Sequence, residues 1–171
     1  MQWFKVPAKI YFEPGSVQYL AKMPDIHRAI IICDSFMVKL HYVDRVLYQL
    51  HQNRNKLAIE VFDEIEPEPD VTMVLKGLEA IKRFQPDVII ALGGGSAMDA
   101  AKAMRMMYEN PKINIDGLAQ KFLDIRKRVY KIPRVANRSK LVCIPTTSGT
   151  GSEVTSFAVI SDNKTHTKHP L

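Results

Sequence analysis

The sequence predicts a doubly wound α/β domain built on a mostly parallel sheet, and two observations carry that expectation. Short apolar runs alternate with amphipathic stretches along the 171 residues, as strand-helix-strand units require. Most of those runs also lack any polar side, which is expected of parallel strands covered on both faces.

In chain order the expected strands are 29–33 (AIIIC), 57–62 (LAIEVF), 87–92 (DVIIAL) and 141–144 (LVCI). After Asp34, the residues Phe36, Leu40, Val43, Leu47 and Leu50 recur at steps of three or four and share one helical face. Val71, Leu75, Leu78 and Ile81 do the same over 70–84. A third helix over 96–108 presents Ala97, Ala100, Ala101, Met104 and Met107, small enough on average to let it lie close to a sheet. The connection EPEPD, Glu66 to Asp70, is stiffened by prolines that fix φ and restrict the residue before them. Over 110–139 the pattern is weak, with one helix expected around 118–128 and irregular chain after it. A further strand is expected at 157–161. Without repeats or low-complexity segments, 1–171 reads as one domain, and HTKHPL reads as a boundary cut through something longer.

Composition excludes several classes. With 46% apolar and 25% charged residues, the chain is not disordered. It contains no apolar run of about eighteen residues, so no membrane-spanning helix is expected. The start MQWFKVPAKIYF lacks the apolar core of a signal peptide, which points to the cytoplasm. Cys33 and Cys143 each sit in an apolar run and read as buried, inert thiols. The net charge of +6 is concentrated in Lys121, Arg126, Lys127, Arg128, Lys131, Arg134, Arg138 and Lys140. No aromatic platform, zinc spacing or helix-turn-helix pattern accompanies them, so a solvated face or protein contact is expected rather than nucleic acid. His27, His41 and His51 read as solvated, and His166 and His169 lack a neighbouring carboxylate that would suggest a metal.

The strongest motif is DVIIALGGGSAMDAAKAM, residues 87–104. An apolar strand runs into Gly93, Gly94 and Gly95, and a helix follows at once. Bare backbone there approaches a ligand closely. The helix head adds unpaired N–H groups and a positive dipole end, which together favour a pyrophosphate. The plainer reading is a glycine turn before a helix capped by a Ser96–Asp99 box. The glycine spacing matches neither Gly-x-Gly-x-x-Gly nor a Walker A loop, so a phosphate is indicated but not the nucleotide class. The second motif, PTTSGTGSEVTSFAVIS at 145–161, places hydroxyls and bare backbone at the carboxyl end of a strand, where open α/β sheets bind ligands. The plainer reading is a polar turn. Asp34, ending the first strand, is placed to accept both hydroxyls of an adenosine ribose and to repel a 2′-phosphate, or simply to cap the next helix.

Together GGGSAMDAAK (93–102) and PTTSGTGSEVT (145–155) resemble the iron-containing, group III alcohol dehydrogenase family. The opening WFKVPAKIYFEPGS, IICDSF, PDVIIALGGGSAMDAAK and FLDIRKRVYKIP are most similar to the alcohol-dehydrogenase half of bifunctional aldehyde-alcohol dehydrogenases. The resemblance implies a Rossmann-like, NAD-binding α/β domain in which Asp34 holds the adenine ribose and Gly94, Gly95, Ser96 and Asp99 form the pyrophosphate loop. It further implies a second nucleotide loop at Thr146, Thr147 and Thr150, with Thr155, Val159 and Lys168 near the nicotinamide end. Pro67 and Glu68 stand where the family often has Pro-Asn-Pro, and Ala97 and Ser156 replace residues that are usually proline. The family's metal ligands, one Asp and three His on an all-helical domain, are expected beyond Leu171, so no catalytic or metal residue is assigned within 1–171. The implied reaction is hydride transfer between a small primary alcohol, ethanol above all, and NAD, with Fe2+ or Zn2+ as Lewis acid in a homo-oligomeric full-length enzyme. The fragment alone is expected to be inactive. Alternatives are a relative acting on glycerol or longer alcohols, and a non-catalytic nucleotide-binding or assembly module.

Overall fold

Isoleucine-rich β1 (Arg28–Ile32) runs through the middle of a parallel sheet in a computed structural model that describes residues 6–113, 138–162 and 167–170. β2 (Ala58–Phe62) flanks it on one side. β3 (Val88–Gly93) and then β4 (Lys140–Pro145) follow on the other, giving the order β2-β1-β3-β4. The chain winds outward from β1 to β2 and then crosses back over β1 to β3. That reversal is the doubly wound, Rossmann-like pattern, and it opens a crevice beyond the carboxyl ends of β1 and β3.

The connections supply the layers. α1 (Ser35–Lys39) and α2 (Tyr42–His51) join β1 to β2, α3 (Val71–Phe84) joins β2 to β3, and α4 (Gly95–Glu109) follows β3. Side chains alternate across the sheet, because successive residues of a strand point to opposite faces. Ala29, Ile31, Val88, Ile90 and Leu92 meet Leu20, Val43, Val46 and Leu50 on one face. Ile30, Ile32, Ile89 and Ala91 meet Val74, Leu78, Ile81, Met98 and Met104 on the other. Two buried faces explain why β1 and β3 are apolar throughout. β4 is only half-buried, since among the described residues it pairs with β3 alone.

Two helical faces differ from expectation. The helix after Asp34 is broken at His41, whose left-handed backbone (φ 59) precedes α2. The break resets the helical phase, so Met37 is buried while Phe36 and Leu40 are exposed. In α3 the buried stripe follows Val74, Gly77, Leu78 and Ile81, and Leu75 turns outward. Gly77 sets that stripe: a Cβ there would lie 2.6 Å from the Met104 sulfur, so glycine lets α3 and α4 approach. In α4, Ala97, Ala100, Ala101, Met104 and Met107 are all buried, as expected.

The later chain returns to this frame by polar contacts. Glu109, its side chain fully buried, accepts bonds from the Arg138 N–H (2.9 Å) and from the Ser139 N–H and hydroxyl (both 2.7 Å). Burial pushes the Glu109 carboxyl up, but these bonds and the Arg105 charge outweigh it and hold the group below its ordinary value. β5 (Val159–Asp162) pairs antiparallel with β6 (Thr167–Pro170). The Ser161 N–H bonds the Pro69 carbonyl (2.9 Å), which attaches the hairpin beside the head of α3. The strand expected at 157–161 thus begins two residues later.

The helix expected around 118–128, and the basic stretch apart from Arg138 and Lys140, lie outside the described residues. Lys140 donates to the Pro24 carbonyl (2.7 Å). His27, His41 and His51 are exposed. Both cysteines are free; Cys33 is buried and Cys143 half-buried. Burial, with the Asp63 and Asp34 charges, pushes the Cys33 thiol up to about 12, so it stays neutral and unreactive. No helix among the described residues is long and apolar enough to cross a membrane.

Candidate functional site

Three strand ends converge on the crevice. At the end of β1, Asp34 has extended backbone (φ −90, ψ 161), and its Oδ1 accepts the N–H groups of Phe36 (2.8 Å) and Met37 (3.0 Å). It therefore caps α1. Its other oxygen, Oδ2, lies 3.7 Å from where a Cβ on Gly93 would stand, so the same carboxylate faces the glycine turn.

At the end of β3, Gly93 has φ +148, and a Cβ there would meet the Ala97 Cβ at 2.9 Å. The turn needs glycine on both counts. Gly94 has ordinary extended backbone (φ −83, ψ −164) and is the N-cap of α4, with no side-chain cap and no acidic residue in the first turn. Among the described residues no side chain caps the N–H groups at the head of α4, and the dipole's positive end faces the crevice. A Cβ on Gly94 would come within 3.2 Å of the Thr147 hydroxyl, and one on Gly95 within 3.4 Å of the Ser152 hydroxyl and 3.6 Å of the Thr150 methyl. The missing side chains form a cradle against the second loop.

That loop is held in place from β4. The Thr146 N–H bonds the Gly93 carbonyl (3.0 Å). Residues 146–150 are exposed, and Ser152 is buried. Gly149 and Gly151 adopt left-handed backbone with open space around them.

The Ser96–Asp99 capping box does not form. α4 begins at Gly95, which puts Ser96 inside the first turn. Asp99 instead points sideways: Oδ2 accepts the Val159 N–H (3.0 Å) and Oδ1 the Lys102 ammonium (3.1 Å). Lys102 also donates to the Thr155 hydroxyl (3.2 Å) and the Phe157 carbonyl (2.7 Å).

The structure therefore gathers Asp34, Gly94, Gly95, Ser96, Thr146, Thr147 and Thr150 around the mouth of the crevice. Asp99, Thr155 and Val159 lie one turn along α4, joined through Lys102. Lys168 stands apart on β6, paired with Glu68 at 2.8 Å. Lys102 escaped the sequence reading, although a lysine three residues after an aspartate on a small-residue helix was its visible signal. Among the described residues no group of three or more His, Cys, Asp or Glu could hold a metal. His166 lies outside them.

Over all of its length the chain is 52% identical to the aldehyde-alcohol dehydrogenase of Streptococcus pneumoniae serotype 4, covering 19% of that protein. It is 47% identical to the bifunctional aldehyde-alcohol dehydrogenase of Escherichia coli K12, again covering 19%. The chain thus spans about a fifth of these curated relatives. Among solved structures, sulfoacetaldehyde reductase from Bifidobacterium kashiwanohense, in complex with NAD+, superposes with a TM-score of 0.77 at 27% identity, over 100% of this chain and 43% of that one. Residues 7–171 match the iron-containing alcohol dehydrogenase family, and the chain belongs to it.

Proposed function

We propose that this chain is the NAD-binding domain of a dehydrogenase that interconverts a primary alcohol, foremost ethanol, and its aldehyde. The observation that carries the reading is the head of α4, left without a side-chain cap and facing the Gly94–Thr147 cradle at the point where the sheet reverses. In this reading the Asp34 carboxylate accepts the adenosine ribose hydroxyls and disfavours a 2′-phosphate. The amides of Gly94, Gly95 and Ser96 hold the diphosphate. Thr146, Thr147 and Thr150 form the opposite wall, and Thr155 and Val159 shape the nicotinamide end. Asp99, assigned to the pyrophosphate loop by the resemblance, is turned toward Val159 and Lys102. NAD supplies the hydride acceptor when bound. The names of the pneumococcal and E. coli relatives support the alcohol and aldehyde pair, and the NAD+ complex of the B. kashiwanohense reductase supports the cofactor.

The described residues do not fit a catalytic metal, and no step is assigned to one in this chain. The chain alone is accordingly expected to bind cofactor without turning over alcohol. Fluorescence titration with NADH and NADPH tests the reading: NADH saturates at lower concentration than NADPH, and ethanol with NAD+ yields no NADH. Equal affinity for the two, or no binding of either, overturns it.

A further inference from the structure

We propose that Lys102 is a positioning residue, whose ammonium pins the loop over 155–159 to α4 and so sets the wall of the cleft at the nicotinamide end. The consequence for the cofactor rests on the function proposed above; the pin itself does not.

The surroundings of Lys102 are unusual for a lysine. α4 buries Ala97, Ala100, Ala101, Ala103 and Met104, and the Lys102 side chain is only 13% exposed. An ammonium drawn out of water needs acceptors for its three hydrogens and a charge partner. It finds one acceptor per hydrogen, each on a different residue: Asp99 Oδ1 (3.1 Å), Thr155 Oγ1 (3.2 Å) and the Phe157 carbonyl (2.7 Å). Asp99, itself 12% exposed, uses its other oxygen to hold the Val159 N–H (3.0 Å). Residues 155, 157 and 159 are thus tied to a single turn of α4, the turn following the helix head.

Apolar packing anchors the same loop through Ala158, just before the fully buried Ile160. Thr155, Ser156, Phe157 and Val159 are exposed, and Ala158 alone is buried. Three polar links, from Thr155, Phe157 and Val159, converge on the Asp99–Lys102 pair and fix the exposed part of the loop. Neither residue need touch cofactor to affect it; they act through Thr155 and Val159.

The test removes both charges together, because deleting one would leave the other buried alone. In Lys102→Met combined with Asp99→Asn, backbone amides 155–160 lose hydrogen-exchange protection. NADH affinity falls about tenfold, or about 1.4 kcal/mol, while affinity for ADP stays within about twofold. A purely structural role would not split the two ligands, since ADP reaches only the Asp34 and glycine-turn side. Thr155→Val, which removes one link and keeps the ion pair, weakens NADH about two- to threefold and leaves ADP unchanged. Unchanged protection in the double variant overturns the pin. Equal losses for NADH and ADP, or no loss of NADH in either variant, overturn its role in the cleft. A wild-type chain that binds ADP but not NADH overturns both that role and the proposed function, whereas the exchange result still decides the pin.

Discussion

α3 and α4 begin alike and end that likeness at one side chain. Each follows a parallel strand, and each N-cap has extended backbone, φ −100 and ψ 173 at Asp70 against φ −83 and ψ −164 at Gly94. At α3 the Asp70 carboxylate accepts the Met73 N–H at 2.7 Å, so the helix head is satisfied by its own sequence. At α4 the N-cap is glycine and brings no such group. α1, capped by Asp34, follows the α3 pattern. The backbone at Gly94 would admit an aspartate, and what argues against one is the neighbouring loop: Thr147 stands 3.2 Å from the position of its Cβ. Among the described α-helices, α2 also lacks a side-chain cap at His41 but carries Asp44 in its first turn, whereas the head of α4 has neither a cap nor an acid.

Installing the missing cap breaks the comparison most severely. Gly94→Asp places a carboxylate where a diphosphate is proposed to lie, and NADH affinity should fall at least about a hundredfold, about 2.8 kcal/mol. Stability should change by no more than about 1 kcal/mol, because the cap gained offsets the contact with Thr147. NADH titration beside urea unfolding checks both, and retained NADH binding would remove the anion from the head of α4.

Asp34 separates capping from recognition. Asp34→Ser keeps a competent N-cap for α1 and deletes the oxygen facing Gly93. NADH should weaken about tenfold, in line with losing charge-assisted hydrogen bonds, while NADPH binds more tightly than to the wild-type chain. An unaltered NADH to NADPH ratio would reduce Asp34 to a helix cap.

The control at α3 has the smallest effect. Asp70→Ala should cost about 1 kcal/mol of stability, read as a lower urea midpoint, with NADH affinity unchanged. A change in NADH affinity would mean that the head of α3, with the attached β5–β6 hairpin, belongs to the site.

Much of this architecture was legible in advance where local chemistry decides it. The all-apolar runs of β1 and β3 announced strands covered on both faces. The glycines at 93–95 and the hydroxyl-rich loop at 146–155 announced bare backbone and hydroxyls at the carboxyl edge of the sheet, where the two loops meet. Legibility failed where a contact distant in sequence decides the outcome. The phase of α1 depends on a left-handed His41, the stripe of α3 on the approach of Met104 to Gly77, and the direction of Asp99 on Lys102 and Val159. Spacing made Ser96 and Asp99 look like a capping box, but the N-cap is Gly94, two residues earlier, and Asp99 is taken up by the Lys102 ammonium and the Val159 N–H.

The sequence by itself determined the strands β1 to β4 and the helices α3 and α4, where bare backbone lies and which residues carry charge, because periodicity and side-chain chemistry are local properties of the chain. Only the tertiary structure decided that Asp34, Gly94 and Thr147 share one crevice and that Lys102 ties 155–159 to α4. Those outcomes rest on the crossing from β2 back over β1 to β3, which brings together residues separated by dozens of positions. No local pattern encodes that meeting, since it depends on which strands neighbour one another in the finished sheet.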